Sequence, residues 1–127
     1  FTQKRLVDAH FFGKKTKRGF YDYREGAVMP EPTKNEDLGR AIVSRILAML
    51  INEAADVCYL KVASRDDIDM AMTQGVNYPQ GLLAWADKIG IEKIVEKMDA
   101  LHDEYLEDRY RCCPMLRKMM REGRTFY

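Results

Sequence analysis

The sequence predicts an all-α fold, and three observations carry that expectation. Apolar residues recur at helical spacing through most of the chain after residue 36. Three of these runs are punctuated by a glycine, at Gly75, Gly90 and Gly123. Eight Met and four Pro lean towards helix and away from a turn-rich β fold.

The chain has 127 residues, enough for one domain or one domain and a piece of another. A nucleotide-binding domain and a separate substrate domain would not both fit. An apolar share of 46% argues against wholesale disorder. The net charge of +1 gives no general reason to expect a nucleic-acid or acidic-membrane partner. No apolar run approaches the roughly 18 residues of a membrane span. The start at Phe1, without a signal-like segment, reads as an excised fragment or a processed product. Cys58, Cys112 and Cys113 are an odd set with an adjacent pair, which is no disulfide framework. A reducing, cytoplasmic setting is therefore expected.

From Thr2 to Phe12 the pattern is the end of a helix, closed by Gly13. Lys14 to Arg18 is a basic run, read first as a solvated loop and second as a site for phosphate, nucleic acid or a CoA tail. Gly19-Phe20-Tyr21-Asp22-Tyr23 alternates aromatics and suggests a short extended piece. Residues 24–35 carry Gly26, Pro30 and Pro32 with little apolar content, which makes a stiff linker.

A long helix follows from Leu38 to Leu60. Its apolar positions cover well over half the circumference, so it needs cover on two or more sides. It is either central to a bundle or shared with a second copy. Glu53 falls inside that arc, near Ile42, Ile46 and Leu60 in projection. A carboxylate buried there would need a partner or a proton. A structural ion pair or a helix cap explains it more simply than a catalytic acid.

Ser64 is placed to cap the next helix, with Asp66 and Asp67 in its first turn. That helix ends near Gly75. Gly75-Val76-Asn77-Tyr78-Pro79-Gln80-Gly81 is a dense turn signal in which Gly75 and Gly81 are expected to supply backbone freedom. Tyr78-Pro79 would set two helices at an angle. Leu82 to Ala86 resumes helix and stops at Gly90. Ile91 to Leu106 is amphipathic. Pro114 opens a last helix carrying Met115, Leu116 and Met119; Gly123 closes it, and Phe126-Tyr127 trail.

Candidate reactive groups are few. His10 and His102 have no recognisable partner, and surface or packing roles are expected. Cys112 and Cys113 lack the spacing of a redox pair, and Cys58 reads as a packed thiol. No spacing of His, Cys, Asp and Glu resembles a metal site. The methionines read first as core and second as an adaptable surface.

A faint repeat spans the chain. Its start runs helix, Gly13, basic residues, Gly19-Phe20-Tyr21; its end runs helix, Gly123, Arg124, Thr125, Phe126-Tyr127. Residues 1–23 would then be the tail of an earlier copy of a domain, and residues 36–127 a complete later copy.

Two strings carry a resemblance: Gly13-Lys14-Lys15-Thr16-Lys17-Arg18-Gly19-Phe20-Tyr21-Asp22-Tyr23, and Asp67-Ile68-Asp69-Met70-Ala71-Met72 with Gly75-Val76-Asn77-Tyr78-Pro79-Gln80-Gly81. Both are similar to the C-terminal domain of 3-hydroxyacyl-CoA dehydrogenases. Ile42-Val43-Ser44-Arg45-Ile46-Leu47 resembles that domain's opening helix. The turn leading into Ala84-Trp85 resembles most the tandem-domain, 3-hydroxyadipyl-CoA type of the bacterial phenylacetate pathway.

The resemblance implies a 6-phosphogluconate-dehydrogenase-C-terminal-like bundle of about five helices. It implies packing beside an NAD-binding Rossmann domain, help in enclosing an acyl-CoA, and a dimer contact. In tandem members two copies pair as an internal pseudo-dimer. The family's catalytic His-Glu pair belongs to the Rossmann domain. This sequence has no G-x-G-x-x-G, so no cofactor site is expected in it; NAD belongs to the parent. An engaged copy carries an active-site Asn after Ile-Val, and here that position is Ser44. Lys17 and Leu82 stand where the family has Gly and Pro. The expected product is a packing and dimerisation module, inactive alone and a homodimer when isolated. No nucleic-acid or membrane partner is expected. The alternative is a stand-alone helical interaction module with no enzymatic parent.

Overall fold

In the computed structural model, which describes residues 2–127, every regular element is helical. Among the described residues the only β pairings are single bridges, Gly13 with Arg18 and Arg18 with Asp22. The chain divides into two compact units, Phe1–Asn35 and Glu36–Tyr127.

The first unit holds helix α1 (Thr2–Asp8) and a 3₁₀ turn, Lys14–Thr16. The helix stops short of the expected Phe12. His10 takes a left-handed backbone (φ 59) and ends it. The Phe11 N–H then donates to the Leu6 carbonyl and the His10 N–H to that of Val7, the bond pair of a Schellman closure. Gly13 does not close the helix. Its φ of 78 turns a loop in which its peptide exchanges both hydrogen bonds with Arg18. Gly19 passes so close that a Cβ on it would lie 2.7 Å from the Gly13 Cα. The aromatic stretch Gly19–Tyr23 folds around that loop and does not extend into a strand. Residues 24–35 form no helix or strand and are exposed.

The second unit is built on α2 (Glu36–Tyr59), against which α3 (Arg65–Met70), α4 (Leu82–Ile89), α5 (Ile91–Tyr105) and α6 (Pro114–Glu122) pack. Ile51, Leu83, Val95, Met98 and Leu116 are almost wholly removed from water. Each contributes about 1.5–3 kcal/mol of burial. Local chemistry sets the boundaries. The Ser64 hydroxyl accepts from the Asp67 N–H and caps α3. Gly90, at φ 99, donates to the Ala86 carbonyl and separates α4 from α5. Pro114 occupies the first turn of α6, and Gly123 (φ 62) closes it with the same bond pair that closes α1. His10, not Gly13, therefore closes α1, as Gly123 closes α6.

The wide apolar arc of α2 splits into two faces. Ala48, Ile51, Ala54 and Ala55 are buried against the other helices. Leu38, Ile42, Val43 and Ile46 each remain about half exposed. Glu53 lies on this second, uncovered face and is exposed. Ile42, Ile46 and Glu53 fall within about 40° of one another at 100° per residue. The buried carboxylate expected from the arc does not exist, because only part of the arc is covered.

The buried polar residue of α2 is Asn52, 1% exposed. Its carbonyl oxygen accepts from the Cys113 N–H at 2.7 Å, and its amide donates to the Arg111 carbonyl at 3.1 Å. These bonds tie α2 to the segment entering α6. Phe126 and Tyr127 do not trail: Phe126 is buried, and both of their N–H groups donate to the Asp87 carboxylate of α4.

Candidate functional site

The turn after α3 carries several of the residues singled out by sequence. A π-helical segment, Ala71–Gly75, continues α3. The Thr73 hydroxyl donates back to the Asp69 carbonyl at 3.0 Å. The Tyr78 N–H donates to the Met72 carbonyl at 3.0 Å, and Asn77 takes the left-handed conformation, φ 58. Gly75 and Gly81 do not supply backbone freedom, since neither has a positive φ. Gly81 has an ordinary extended backbone, φ −66 and ψ 148. It is required by a close approach: a Cβ there would run into the Asp69 carboxylate. That carboxylate accepts from the Leu83 N–H at 2.8 Å and the Ala84 N–H at 2.9 Å, capping α4 from another helix.

Capping fixes α4, and α4 presents Trp85. Trp85, Val43 and Leu47 form a ridge between two openings. One is a groove of about 700 Å³ between α2, α4 and α5, floored by Leu47, Ala48, Ile89 and Ile94. Ser44 lies in this groove, and Arg40, Lys93 and Lys97 bring positive charge to it. The other is an apolar cleft of about 190 Å³, to which Tyr78 and Pro79 contribute with Ile46 and Leu50. The turn residues therefore line a surface as well as orienting two helices.

The groove's lining holds one carboxylate, Glu36, which pairs with Arg40 at 3.4 Å, and no histidine. His102 is on α5 but outside it, 3.9 Å from Asp103. His10 is exposed on the first unit, edge-on to Phe12. The basic run Lys14–Arg18 is exposed, with the Arg18 guanidinium over the Phe11 ring at 4.4 Å. Cys112 and Cys113 are buried, and burial pushes both thiols up to about 11, far from the thiolate a redox pair needs. Cys58 is half-buried beside the core. Among the described residues, no group of three or more His, Cys, Asp or Glu is placed to hold a metal ion. The parallel strand–helix–strand unit with a glycine-rich turn that cradles a dinucleotide in a Rossmann domain is absent among the described residues. No helix among them is long and apolar enough to cross a membrane.

Residues 42–126 match the family model described as 3-hydroxyacyl-CoA dehydrogenase, C-terminal domain. The chain belongs to this family. The match begins at Ile42, two residues before Ser44, and ends at Phe126, so it takes in the whole capped turn and all of the groove's lining but Glu36, Gly39 and Arg40.

The 3-hydroxyacyl-CoA dehydrogenase relatives are larger proteins. The 3-hydroxyadipyl-CoA dehydrogenase of Escherichia coli K12 is 47% identical over 77 residues, which is 61% of this chain and 16% of that protein. The solved (S)-3-hydroxybutyryl-CoA dehydrogenase of Ralstonia eutropha is 36% identical, with a TM-score of 0.64. That alignment covers 66% of this chain and 32% of the other. A second solved structure, the 3-hydroxybutyryl-CoA dehydrogenase of Escherichia coli K12, has a TM-score of 0.74. It covers 96% of this chain and 44% of that one at 24% identity, and shows the shared fold. This chain corresponds to the C-terminal helical domain of such dehydrogenases and spans a minor part of their length.

Three ties were not anticipated from the sequence: the Asn52 bonds, the Asp69 cap on α4, and the Asp87 hold on the Phe126 and Tyr127 N–H groups. Asn52 had a signal, a carboxamide flanked by Ala48, Ile51 and Ala55 on the core face.

Proposed function

We propose that this chain is a non-catalytic helical module of an NAD-dependent, tandem-domain 3-hydroxyacyl-CoA dehydrogenase. Residues 1–23 would be the tail of a preceding copy, 24–35 the linker, and 36–127 the complete second copy. The parent would oxidise the 3-hydroxyl of an acyl-CoA to a ketone and pass hydride to NAD, in fatty-acid or phenylacetate catabolism in the cytoplasm. The similarity to the 3-hydroxyadipyl-CoA dehydrogenase supports the latter setting.

The observation that carries this reading is Ser44. It stands on α2, in an open groove, at the position where an engaged copy would carry Asn. A hydroxyl is shorter than a carboxamide and offers one donor where the amide offers two donors and a carbonyl. No histidine lines the groove with it, and the one carboxylate of the lining, Glu36, is engaged by Arg40. The module's contribution is therefore packing: the face of Leu38, Ile42, Val43 and Ile46 would meet the preceding copy in the parent, and a second copy when isolated.

Two measurements test this. Purified as it is, the chain should oxidise no 3-hydroxyacyl-CoA and show no heat of NAD binding in calorimetry. Turnover, or tight NAD binding, would overturn the reading. Restoring the carboxamide with Ser44→Asn should not create activity, since the acid–base pair is still lacking.

A further inference from the structure

The second unit ends in a clasp. Its receptacle is made by Arg65 and Asp69 of α3 and by Asp87 of α4. The Phe126 N–H donates to Asp87 at 2.9 Å, and so does that of Tyr127. The Phe126 carbonyl accepts from the Arg65 guanidinium, which also lies 4.5 Å over the Tyr127 ring. The Tyr127 hydroxyl donates to Asp69 at 3.2 Å. The Phe126 ring is buried.

The seated segment reads Arg124-Thr125-Phe126-Tyr127, and the first unit carries Arg18-Gly19-Phe20-Tyr21. There the same dipeptide is largely exposed, with the Tyr21 ring edge-on to that of Tyr23 and the Tyr21 carbonyl accepting from the Gly19 N–H. Phe20 is 72% exposed and Tyr21 47%. Neither their N–H groups nor the Tyr21 hydroxyl has an acceptor among the described residues. These are the donors that Asp87 and Asp69 satisfy in the second unit. An exposed aromatic pair whose N–H groups face water keeps both its rings and its donors available to a receptacle of that kind.

We infer that Phe20-Tyr21 is a plug for a second receptacle of the same make, carried by another helical module of this family in the same polypeptide. Its chemistry follows from the seated copy. One helix must present Arg and Asp one turn apart, as Arg65 and Asp69 do, and the next must present a carboxylate near its C-terminal end, as Asp87 does. The inference rests on the tandem-domain reading above.

Amide hydrogen exchange tests it. In the present chain the Phe20 and Tyr21 amides should exchange at unstructured rates, while those of Phe126 and Tyr127 are protected. Asp87→Asn should speed exchange at the latter pair by roughly 100-fold, which calibrates the clasp. In the longer natural polypeptide the Phe20 and Tyr21 amides should slow by a similar factor, and Phe20→Ala should lower the melting of the preceding module alone. A preceding helical module present with Phe20 and Tyr21 still unprotected would overturn the plug and leave the tandem reading standing. A polypeptide with no such module would overturn both. Protection that rises with the concentration of the present chain would assign the plug to a second copy and overturn the inference as stated.

Discussion

The Asp69 carboxylate occupies the space that a side chain on Gly81 would fill. Nothing about the Gly81 backbone demands glycine, since its φ is −66. What demands it is the carboxylate reaching past it to the Leu83 and Ala84 N–H groups. One residue is small so that another, twelve positions earlier, can cap the helix that follows. Gly81→Ala must push the carboxylate off its cap. The lost cap and the overlap together cost about 3 kcal/mol. Thermal unfolding followed by circular dichroism should show a fall on the order of 10 °C. Gly75→Ala is the control: no atom lies within 4 Å of its added Cβ, and its melting point should stay close to that of the parent.

Asn52 is the second test of a tie made across the fold. Asn52→Leu keeps the branched outline of the side chain, with somewhat bulkier methyl groups, and removes both hydrogen bonds. The Cys113 N–H and the Arg111 carbonyl then lose their partner beside the buried start of α6. Denaturant unfolding should show a loss of about 3 kcal/mol. Asn52→Asp should recover part of this only at low pH, where a protonated carboxyl can accept from Cys113 and donate to the Arg111 carbonyl without burying a charge. Equal stability of the Leu variant and the parent would remove Asn52 from the account of the core.

The helix boundaries of the second unit were legible because their causes are local, whereas the His10 closure of α1 carried no glycine to mark it. Ser64 caps a turn three residues away, Pro114 sits where its missing N–H costs nothing, and Gly123 closes its own helix. The ties that assemble those helices were not legible. Asp69 reaches residues 14 and 15 positions on, Asp87 about 40, and Asn52 about 60. A lone Asp or Asn carries no mark of a partner so far along the chain. Glu53 shows the same limit from the other side. Periodicity located it correctly among Ile42 and Ile46, but periodicity does not say which side of a two-faced helix finds cover.

The two buried thiols make a pH prediction. Burial raises Cys112 and Cys113 from an ordinary 9.0 to about 11 in the folded state. Between those values the folded chain keeps protons that the unfolded chain has released, so raising the pH favours unfolding. The stabilisation is complete below about pH 9 and is lost as the pH climbs through 11. The urea midpoint should therefore fall across this window more steeply in the parent than in the Cys112→Ala/Cys113→Ala variant. Alkylation at pH 8 should reach Cys58 first and the other two only on unfolding.

The uncovered face of α2 predicts association. Light scattering at high concentration should report a mass above that of one chain. Ile42→Glu with Ile46→Glu should return it to the monomer, because two carboxylates would join Glu53 on a face that must lose water to pair. The melting point should change by only a few degrees, since these side chains lie outside the core. A monomeric parent would count against a packing role for this face.

The Asn52 tie also orders events in time. Helix α2 is finished by residue 59, yet the partners of its core face lie on α4, α5 and the segment from Arg111 onwards. During synthesis both faces of α2 stay open while some fifty further residues are made. The loop closed by Asn52 and Cys113 makes this a fold of long-range contacts for a helical protein, and such contacts form late. Ribosome-stalled chains ending before Cys113 should stay protease-sensitive through α2, and those that include α6 in full should not.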